Sequence, residues 1–263
     1  MKEEDIVFLR KWFRKYVNSF YGKDTETDWN IDNKDKHTYR VCANMLYLTK
    51  QLGLPEDKIL LGEAVALFHD VGRFYQLMKY NTYMDADSEN HAHLSVKVLE
   101  DNKVLERLSD EEKEIIITAV KLHNVYVVPE GVDDDVLFYL KLIRDADKLD
   151  IIHVEIEYFK TRGKKKIEAM EMGLPDTPDY SKELVEDVLN NRCATYSKMK
   201  TYNDLKLLLL TWADEFFFKP SYARLKKKKY LEEIISFLPD TEDIRKVRAH
   251  VLKHIDSKIK EVD

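Results

Sequence analysis

The chain has 263 residues, of which 44% are apolar and 35% charged, the composition of a globular protein with a sizeable core. Only seven glycines and six prolines occur, which favours long helices joined by short connections, so we expect an all-α fold. The formal net charge of −6 excludes a general attraction for polyanions, and two cysteines without CxxC spacing indicate neither a disulfide framework nor a zinc ribbon.

The sequence also gives no sign of export or of a membrane. The first 14 residues are charged throughout, and the most apolar stretch, residues 205–213, is too short to span a bilayer. Two lysine runs, Lys164–Lys166 and Lys226–Lys229, are interpreted as solvated faces rather than as a nucleic-acid surface. We therefore expect a cytoplasmic protein that binds neither membranes nor nucleic acid.

Apolar residues recur at helical spacing from Ile6 to Phe20, which predicts a first helix that ends near Gly22. The polar residues 24–36 predict a loop, and the next helix is expected from about Lys34 to Gln51, with His37 near its start. A more apolar helix begins after Pro55 and ends at His69 and Asp70, where Gly72 is expected to stop it.

His91 opens another helical pattern. Ser109 and Glu112 form a capping box ahead of a helix that ends at His123, and the longest pattern runs from Asp134 to about Thr161. After a predicted loop at residues 163–181, helices are expected at about 182–192, 201–218, 221–237 and 241–261. We place a domain boundary near Gly163, with a core at residues 1–162 and a helical C-terminal extension at 163–263 that can also be part of the same domain.

The histidines suggest what chemistry the core performs. His69 and Asp70 end an apolar segment, where a carboxylate is costly to bury unless a cation or a donor balances it. Metal coordination would provide that balance. Neutral imidazoles with carboxylates suit Mn, Fe, Ni, Co or Zn, and oxygen ligands also admit Mg.

The sequence resembles the HD-domain phosphohydrolase superfamily in five blocks that occur in order. These are His37, His69-Asp70-Val71-Gly72-Arg73, Asn90-His91, His123-Asn124 and the segment from Arg144 to Asp150. The resemblance covers roughly residues 33 to 155. It implies a helical bundle that holds one or two divalent ions, with ligands at His37, His69, Asp70 and Asp145. Members with further histidines tend to hold two metals, and His91 and His123 stand where those histidines would be.

The resemblance implies a phosphomonoesterase or phosphodiesterase that acts on a small phosphorylated substrate, with nucleotides favoured. Asp70 is expected to orient the attacking water, while His91 or His123 either completes a second metal site or acts as general acid. Arg73 and Lys148 are candidate phosphate contacts. Ion pairs of Arg73 and Lys148 with neighbouring aspartates are the structural alternative.

The departures from the family pattern limit these expectations. A Gly-Tyr-Pro element is missing, and Asn124 stands where the cyclic-di-GMP subgroup has a second histidine, so no cyclic dinucleotide is assigned. His93 follows His91 by two residues, about 200° around a helix, so only one of them can face a site. Two other functions stay open at this point: a mixed-valent diiron oxygenase of the same fold, and a non-catalytic nucleotide-binding regulatory module.

Overall fold

A computed structural model describes residues 1–163 and 168–261 of the chain. These residues form helices and no strand, which confirms the all-α prediction. The chain divides into two compact units, Met1–Asp150 and Ile151–Asp263. The predicted boundary near Gly163 follows the end of a long helix, whereas the compact units divide inside that helix. The lysine run at Lys164–Lys166 lies outside the described residues.

The first unit is built around one apolar helix. Its helices are α1 (Glu3–Asn18), α2 (Thr25–Gln51), α3 (Glu56–Phe68), α4 (Gly72–Tyr80), α5 (His91–Asp101), α6 (Asp110–Leu122) and α7 (Asp134–Thr161), of which α7 continues into the second unit. Helix α3 packs against α1, α2 and α6, and it is buried on nearly every side. A helix with no polar face is stable only when neighbours cover it, so α3 is the centre of this unit.

Helix α2 begins at Thr25, about nine residues before the predicted start at Lys34, so most of the predicted loop at 24–36 is helical. Asp24 caps the helix, since its carboxylate accepts a hydrogen bond from the Thr27 backbone N–H. Acidic residues in the first turn, Glu26 and Asp28, match the positive end of the helix dipole. The segment is polar because most of it faces solvent, and only Thr27, Ile31 and Asp35 among its residues before Lys36 are buried.

Gly72 begins α4 rather than simply ending α3, and it brings two helices close together. A Cβ atom at this position would lie 2.4 Å from the Ser95 backbone nitrogen and 2.7 Å from the His91 carbonyl oxygen. The Gly72 N–H also donates to Ser95 Oγ, at 2.9 Å. The glycine therefore allows the turn after His69 and Asp70 to pack directly on the start of α5.

The second unit consists of the end of α7 and shorter helices. These are α8 (Glu168–Glu171), α9 (Lys182–Leu189), α10 (Tyr202–Thr211), α11 (Lys219–Lys228), α12 (Tyr230–Ser236) and α13 (Glu242–Lys260). The predicted helix at 221–237 is interrupted by Lys229, whose φ of 56° is left-handed. Among the described helices, none has the length and apolar character needed to cross a bilayer.

Candidate metal centre

Four histidines of the first unit are buried and lie together. His37 is on α2, His69 directly follows α3, His91 is the first residue of α5 and His123 directly follows α6. None of the four exposes more than 7% of its surface. The ends of three helices and the middle of a fourth thus bring these side chains to one place.

Two of these histidines form the first ligand group with Asp70. The Nε2 atoms of His37 and His69 are 3.3 Å apart, and each lies 3.6 Å from Asp70 Oδ2. All three residues are buried, and their donor atoms lie within 4.8 Å of one another. The spacing is that of groups that could hold one metal ion.

The other two histidines form a second group on the opposite oxygen of the same carboxylate. The Nε2 atoms of His91 and His123 are 3.1 Å apart, and they lie 3.4 Å and 3.8 Å from Asp70 Oδ1. The donor atoms of this group also lie within 4.8 Å of one another. Each oxygen of Asp70 therefore faces its own pair of imidazoles.

The second nitrogen of every imidazole is held by an acceptor. Two Nδ1 atoms face carboxylates: His37 Nδ1 lies 2.7 Å from Asp150 Oδ2, and His91 Nδ1 lies 2.6 Å from Asp85 Oδ2. The other two face backbone carbonyl oxygens: His69 Nδ1 lies 2.7 Å from that of Ala66, and His123 Nδ1 lies 2.7 Å from that of Val120. Carbonyl and carboxylate oxygens accept hydrogen bonds, so each Nδ1 carries the proton. This leaves each Nε2 as the nitrogen available to bind a metal, the arrangement that orients histidine ligands in metalloproteins.

A second aspartate, Asp147, lies beside the first group. Its Oδ1 lies 3.2 Å from His37 Nε2 and 3.8 Å from His69 Nε2. Asp145, which the resemblance suggested as ligand, precedes Asp147 by two residues on α7 and so points about 200° away from it. Asp145 is fully buried, and neither Asp145 nor Asp147 is a member of the two three-residue groups. The distances make Asp147 a candidate ligand at this position, and the role of Asp145 stays a prediction.

Burial keeps two of the histidines neutral. It lowers the pKa of His69, and it lowers the pKa of His123 to about 3, with further lowering by the neighbouring His91 and His69. A neutral imidazole is the form that coordinates a metal. The low pKa also makes His123 a poor general acid at neutral pH, so of its two predicted roles the ligand role fits better.

His37 differs because carboxylates surround it. Burial and Lys34 would lower its pKa, but the carboxylates of Asp147, Asp150 and Asp70 that face the ring raise the pKa to about 10. Burial would likewise raise the pKa of Asp70, but Lys34, His69 and His37 hold it well below its usual range. The carboxylates therefore stay charged, and in the protein without metal a second proton on His37, at Nε2, supplies part of the positive charge that they require; a metal ion at Nε2 would replace that proton.

Three basic side chains lie around the carboxylates. Lys34 Nζ is 2.7 Å from Asp70 Oδ2, and the Arg40 guanidinium holds Asp150 through contacts of 2.7 Å and 3.0 Å. Arg73 Nε lies 3.5 Å from Asp70 Oδ1 and has no hydrogen-bond partner among the described residues, so it remains a candidate phosphate contact. Lys148 adjoins Asp147 on α7, and its substrate role stays a prediction.

Sequence reasoning missed four residues of this centre: Lys34, Asp85, Asp147 and Asp150. The two aspartates of α7 stood in the matched block from Arg144 to Asp150, where only the direction of each side chain could select among them. Lys34 is one turn before His37, a relation that becomes visible once α2 is known to start at Thr25. Asp85 lies in a connection between helices, and nothing in its local sequence marks it.

The donor set fits divalent metal ions. Asp70 Oδ1 and Asp147 Oδ1 are buried and accept no hydrogen bond from any described residue. A buried carboxylate oxygen without a donor is unfavourable unless a cation compensates it. The four Nε2 atoms face these oxygens, and imidazole with carboxylate is the ligand chemistry of Mn, Fe, Co, Ni and Zn.

Comparison with known proteins agrees with this geometry. Residues 35–152 match the family model of the HD domain, which spans every histidine and aspartate of both groups. The chain therefore carries an HD domain, and the resemblance to the HD-domain metal-dependent phosphohydrolase superfamily is confirmed. No curated protein and no solved structure matches the chain.

Proposed function

We propose that this protein is a metal-dependent phosphohydrolase that cleaves a phosphomonoester or phosphodiester of a small substrate. One observation carries the proposal: four imidazoles with fixed Nδ1 atoms direct their Nε2 atoms in pairs at the two oxygens of Asp70. The proposed ligands are His37, His69, Asp70 and Asp147 for one ion, and Asp70, His91 and His123 for a second. The preference for a nucleotide rests on the family resemblance alone.

Divalent ions held there would supply a nucleophilic water at neutral pH and compensate negative charge on the phosphoryl oxygens. The protein contributes orientation. Asp150 and Asp85 fix the rings of His37 and His91, and Asp70 carries a charge that both ligand groups share. Arg73 places a guanidinium nitrogen beside Asp70 Oδ1, where a phosphate oxygen could accept from it.

Elemental analysis combined with activity assays tests this proposal. Wild-type protein would be reconstituted with Mn²⁺, Fe²⁺, Co²⁺, Ni²⁺, Zn²⁺ or Mg²⁺ and assayed with p-nitrophenyl phosphate, bis-p-nitrophenyl phosphate and nucleoside monophosphates. We expect bound metal and hydrolysis in the wild type, and the loss of both in His69→Ala and Asp70→Ala. His93→Ala is the matched control, since His93 is exposed two residues from His91.

Three results would contradict the proposal. Equal metal content and activity in the wild type, His69→Ala and Asp70→Ala would mean that His69 and Asp70 are only a buried structural pair. Iron-dependent oxygen uptake with a polyol or an organophosphonate, without phosphoester hydrolysis, would identify an oxygenase built on the same ligands. Nucleotide binding by a protein that holds no metal and has no activity would indicate a regulatory module.

A further inference from the structure

Lys34 contacts a carboxylate that belongs to both ligand groups. Its ammonium lies 2.7 Å from Asp70 Oδ2, the oxygen that also faces His37 Nε2 and His69 Nε2. The Asp70 side chain is 6% exposed and the Lys34 side chain 23% exposed, so the lysine extends from the buried carboxylate towards solvent. Lys34 is thus positioned at the edge of the first ligand group.

The same position makes Lys34 a competitor of a metal cation. A divalent ion held by His37, His69 and Asp70 would lie beside the ammonium, and two positive charges a few ångströms apart repel each other. The lysine side chain has four rotatable bonds, so it can leave Asp70 without a backbone change. Lys34 Nζ also lies 5.9 Å from the centroid of the Tyr83 ring.

The neighbouring arginines are held differently. Arg40 is fixed to Asp150 by two hydrogen bonds, and Arg73 Nη1 is held by Gln76 Oε1 and Asp85 Oδ1. Neither of these anchoring carboxylates belongs to the two three-residue ligand groups. Arg73 Nε also lies 3.5 Å from Asp70 Oδ1, but the other contacts of Arg73 would hold it in place. Lys34 instead has Asp70 as its carboxylate partner, at 2.7 Å, and a bound cation would compete with it for that carboxylate.

We propose that Lys34 exchanges partners, releasing Asp70 when a divalent cation binds and then donating hydrogen bonds to a phosphoryl oxygen of the substrate. This inference rests on the proposed function, because it assumes a phosphorylated substrate at the same centre. A compact ammonium with three donors suits a phosphate oxygen, and its position beside Asp70 Oδ2 puts it on the His37 side of the centre. Arg73, close to Asp70 Oδ1, would serve the opposite side.

A purely structural ion pair would behave in the opposite way. If Lys34 only neutralises Asp70, its removal should disturb the centre and weaken both metal and phosphate binding. If it exchanges partners, its removal should relieve competition for Asp70 and strengthen metal binding, while it weakens phosphate binding. The two readings therefore differ in the sign of one measured affinity.

The test uses calorimetric titration of the full-length protein with two probes: Mn²⁺ added to the metal-free protein, and orthophosphate added to the Mn²⁺-loaded protein. In Lys34→Met we expect Mn²⁺ to bind about 3- to 10-fold more tightly and orthophosphate about 10-fold more weakly. Lys34→Arg should keep orthophosphate affinity within about 3-fold of the wild type, because a cation remains.

Lys36→Met is the matched control. Lys36 lies on the same helix, pairs with Asp32 at 2.6 Å and has a 62% exposed side chain, so both affinities should equal those of the wild type. Equal orthophosphate affinity in Lys34→Met and Lys36→Met would overturn the proposal, as would weaker Mn²⁺ binding in Lys34→Met.

The affinities also separate this inference from the proposed function. If Lys34→Met shows the expected changes in Mn²⁺ and orthophosphate affinity but the wild type hydrolyses no phosphoester, the partner exchange of Lys34 is supported and the proposed hydrolase function is contradicted. If the wild type hydrolyses phosphoesters but Lys34→Met has the wild-type affinities, the hydrolase function is supported and the partner exchange is contradicted. A wild-type protein that binds no Mn²⁺ would contradict both.

Discussion

The two compact units both bury carboxylates, but they treat them differently. In the first unit, Asp70 and Asp147 each leave a buried oxygen without a hydrogen bond from any described residue. In the second unit, Asp204 is fully buried and accepts hydrogen bonds from the Ser181 N–H and hydroxyl and from the backbone N–H groups of Lys200 and Thr201. A saturated carboxylate fixes a turn, whereas an unsaturated one is available to a ligand.

The second unit also contains an unsaturated carboxylate, Glu155, and its charge distinguishes it from Asp70. Glu155 Oε2 is buried and has no hydrogen-bond partner among the described residues. Burial raises the pKa of Glu155 to about 8, so this group is largely neutral at pH 7. Asp70 keeps its charge because Lys34 and two imidazoles face it. The charged, unsaturated carboxylate is the one that predicts a metal.

The largest expected effect separates Asp70 from Asp204. Asp70→Asn removes the charge that both ligand groups share, so we expect no stoichiometric metal and a loss of activity of about a thousandfold or more. Asp204→Asn should keep metal and activity but lower the free energy of unfolding by about 1–3 kcal/mol, because an amide cannot accept all four hydrogen bonds. Elemental analysis would measure the metal content of each variant, and denaturant titration would measure its free energy of unfolding. If Asp204→Asn is fully folded but contains no metal, the distinction between the roles of Asp70 and Asp204 would be contradicted.

A second effect distinguishes the two aspartates of α7. Asp147→Asn should weaken metal binding about 10- to 100-fold, because Asp147 Oδ1 faces His37 and His69. Asp145→Asn should leave the affinity within about 3-fold of the wild type, because its side chain points to the other side of the helix. Titration with Mn²⁺ and circular dichroism of each variant would compare them. The opposite pattern would restore Asp145 as the ligand.

The smallest effect concerns Glu155 and depends on pH. A carboxyl whose pKa is raised by folding stabilises the protein below its unfolded pKa, near 4.5, and this stability is lost as pH rises through about 8. At pH 9 the free energy of unfolding of Glu155→Gln, measured by denaturant titration, should therefore exceed that of the wild type by about 1–2 kcal/mol. At pH 5 the two values should differ little. Glu157→Gln, an exposed position on the same helix, is the control. A pH-independent effect of Glu155→Gln would contradict the assignment.

Much of this centre was predictable from the sequence. The capping box at Ser109 marks the start of the helix that ends at His123, and the helical pattern that His91 opens forms α5, since both signals lie within a few positions in the sequence. The His69-Asp70 pair was predicted at the end of an apolar helix, and it lies there. The family resemblance added which of these residues belong together.

Other features depended on contacts that local patterns do not contain. The sequence offered Asp145, Asp147 and Asp150 in one short block, and their roles follow from the rotation of α7 towards His37. Asp85 holds the His91 ring from a connection between helices, at 2.6 Å. The polar start of α2 gave no apolar periodicity, so its helix, and with it the register of Lys34, was missed.

The amino-acid sequence alone determined the helical class and the positions of His69, Asp70, His91 and His123 at helix ends, because these depend on residue type and on neighbours within a few positions. The tertiary structure decided which oxygen faces which imidazole and which carboxylates remain without a donor. It also brought Lys34 to Asp70, 36 positions away in the chain. Those features depend on how helices rotate and approach one another, which is set by packing across the whole unit rather than by any local segment.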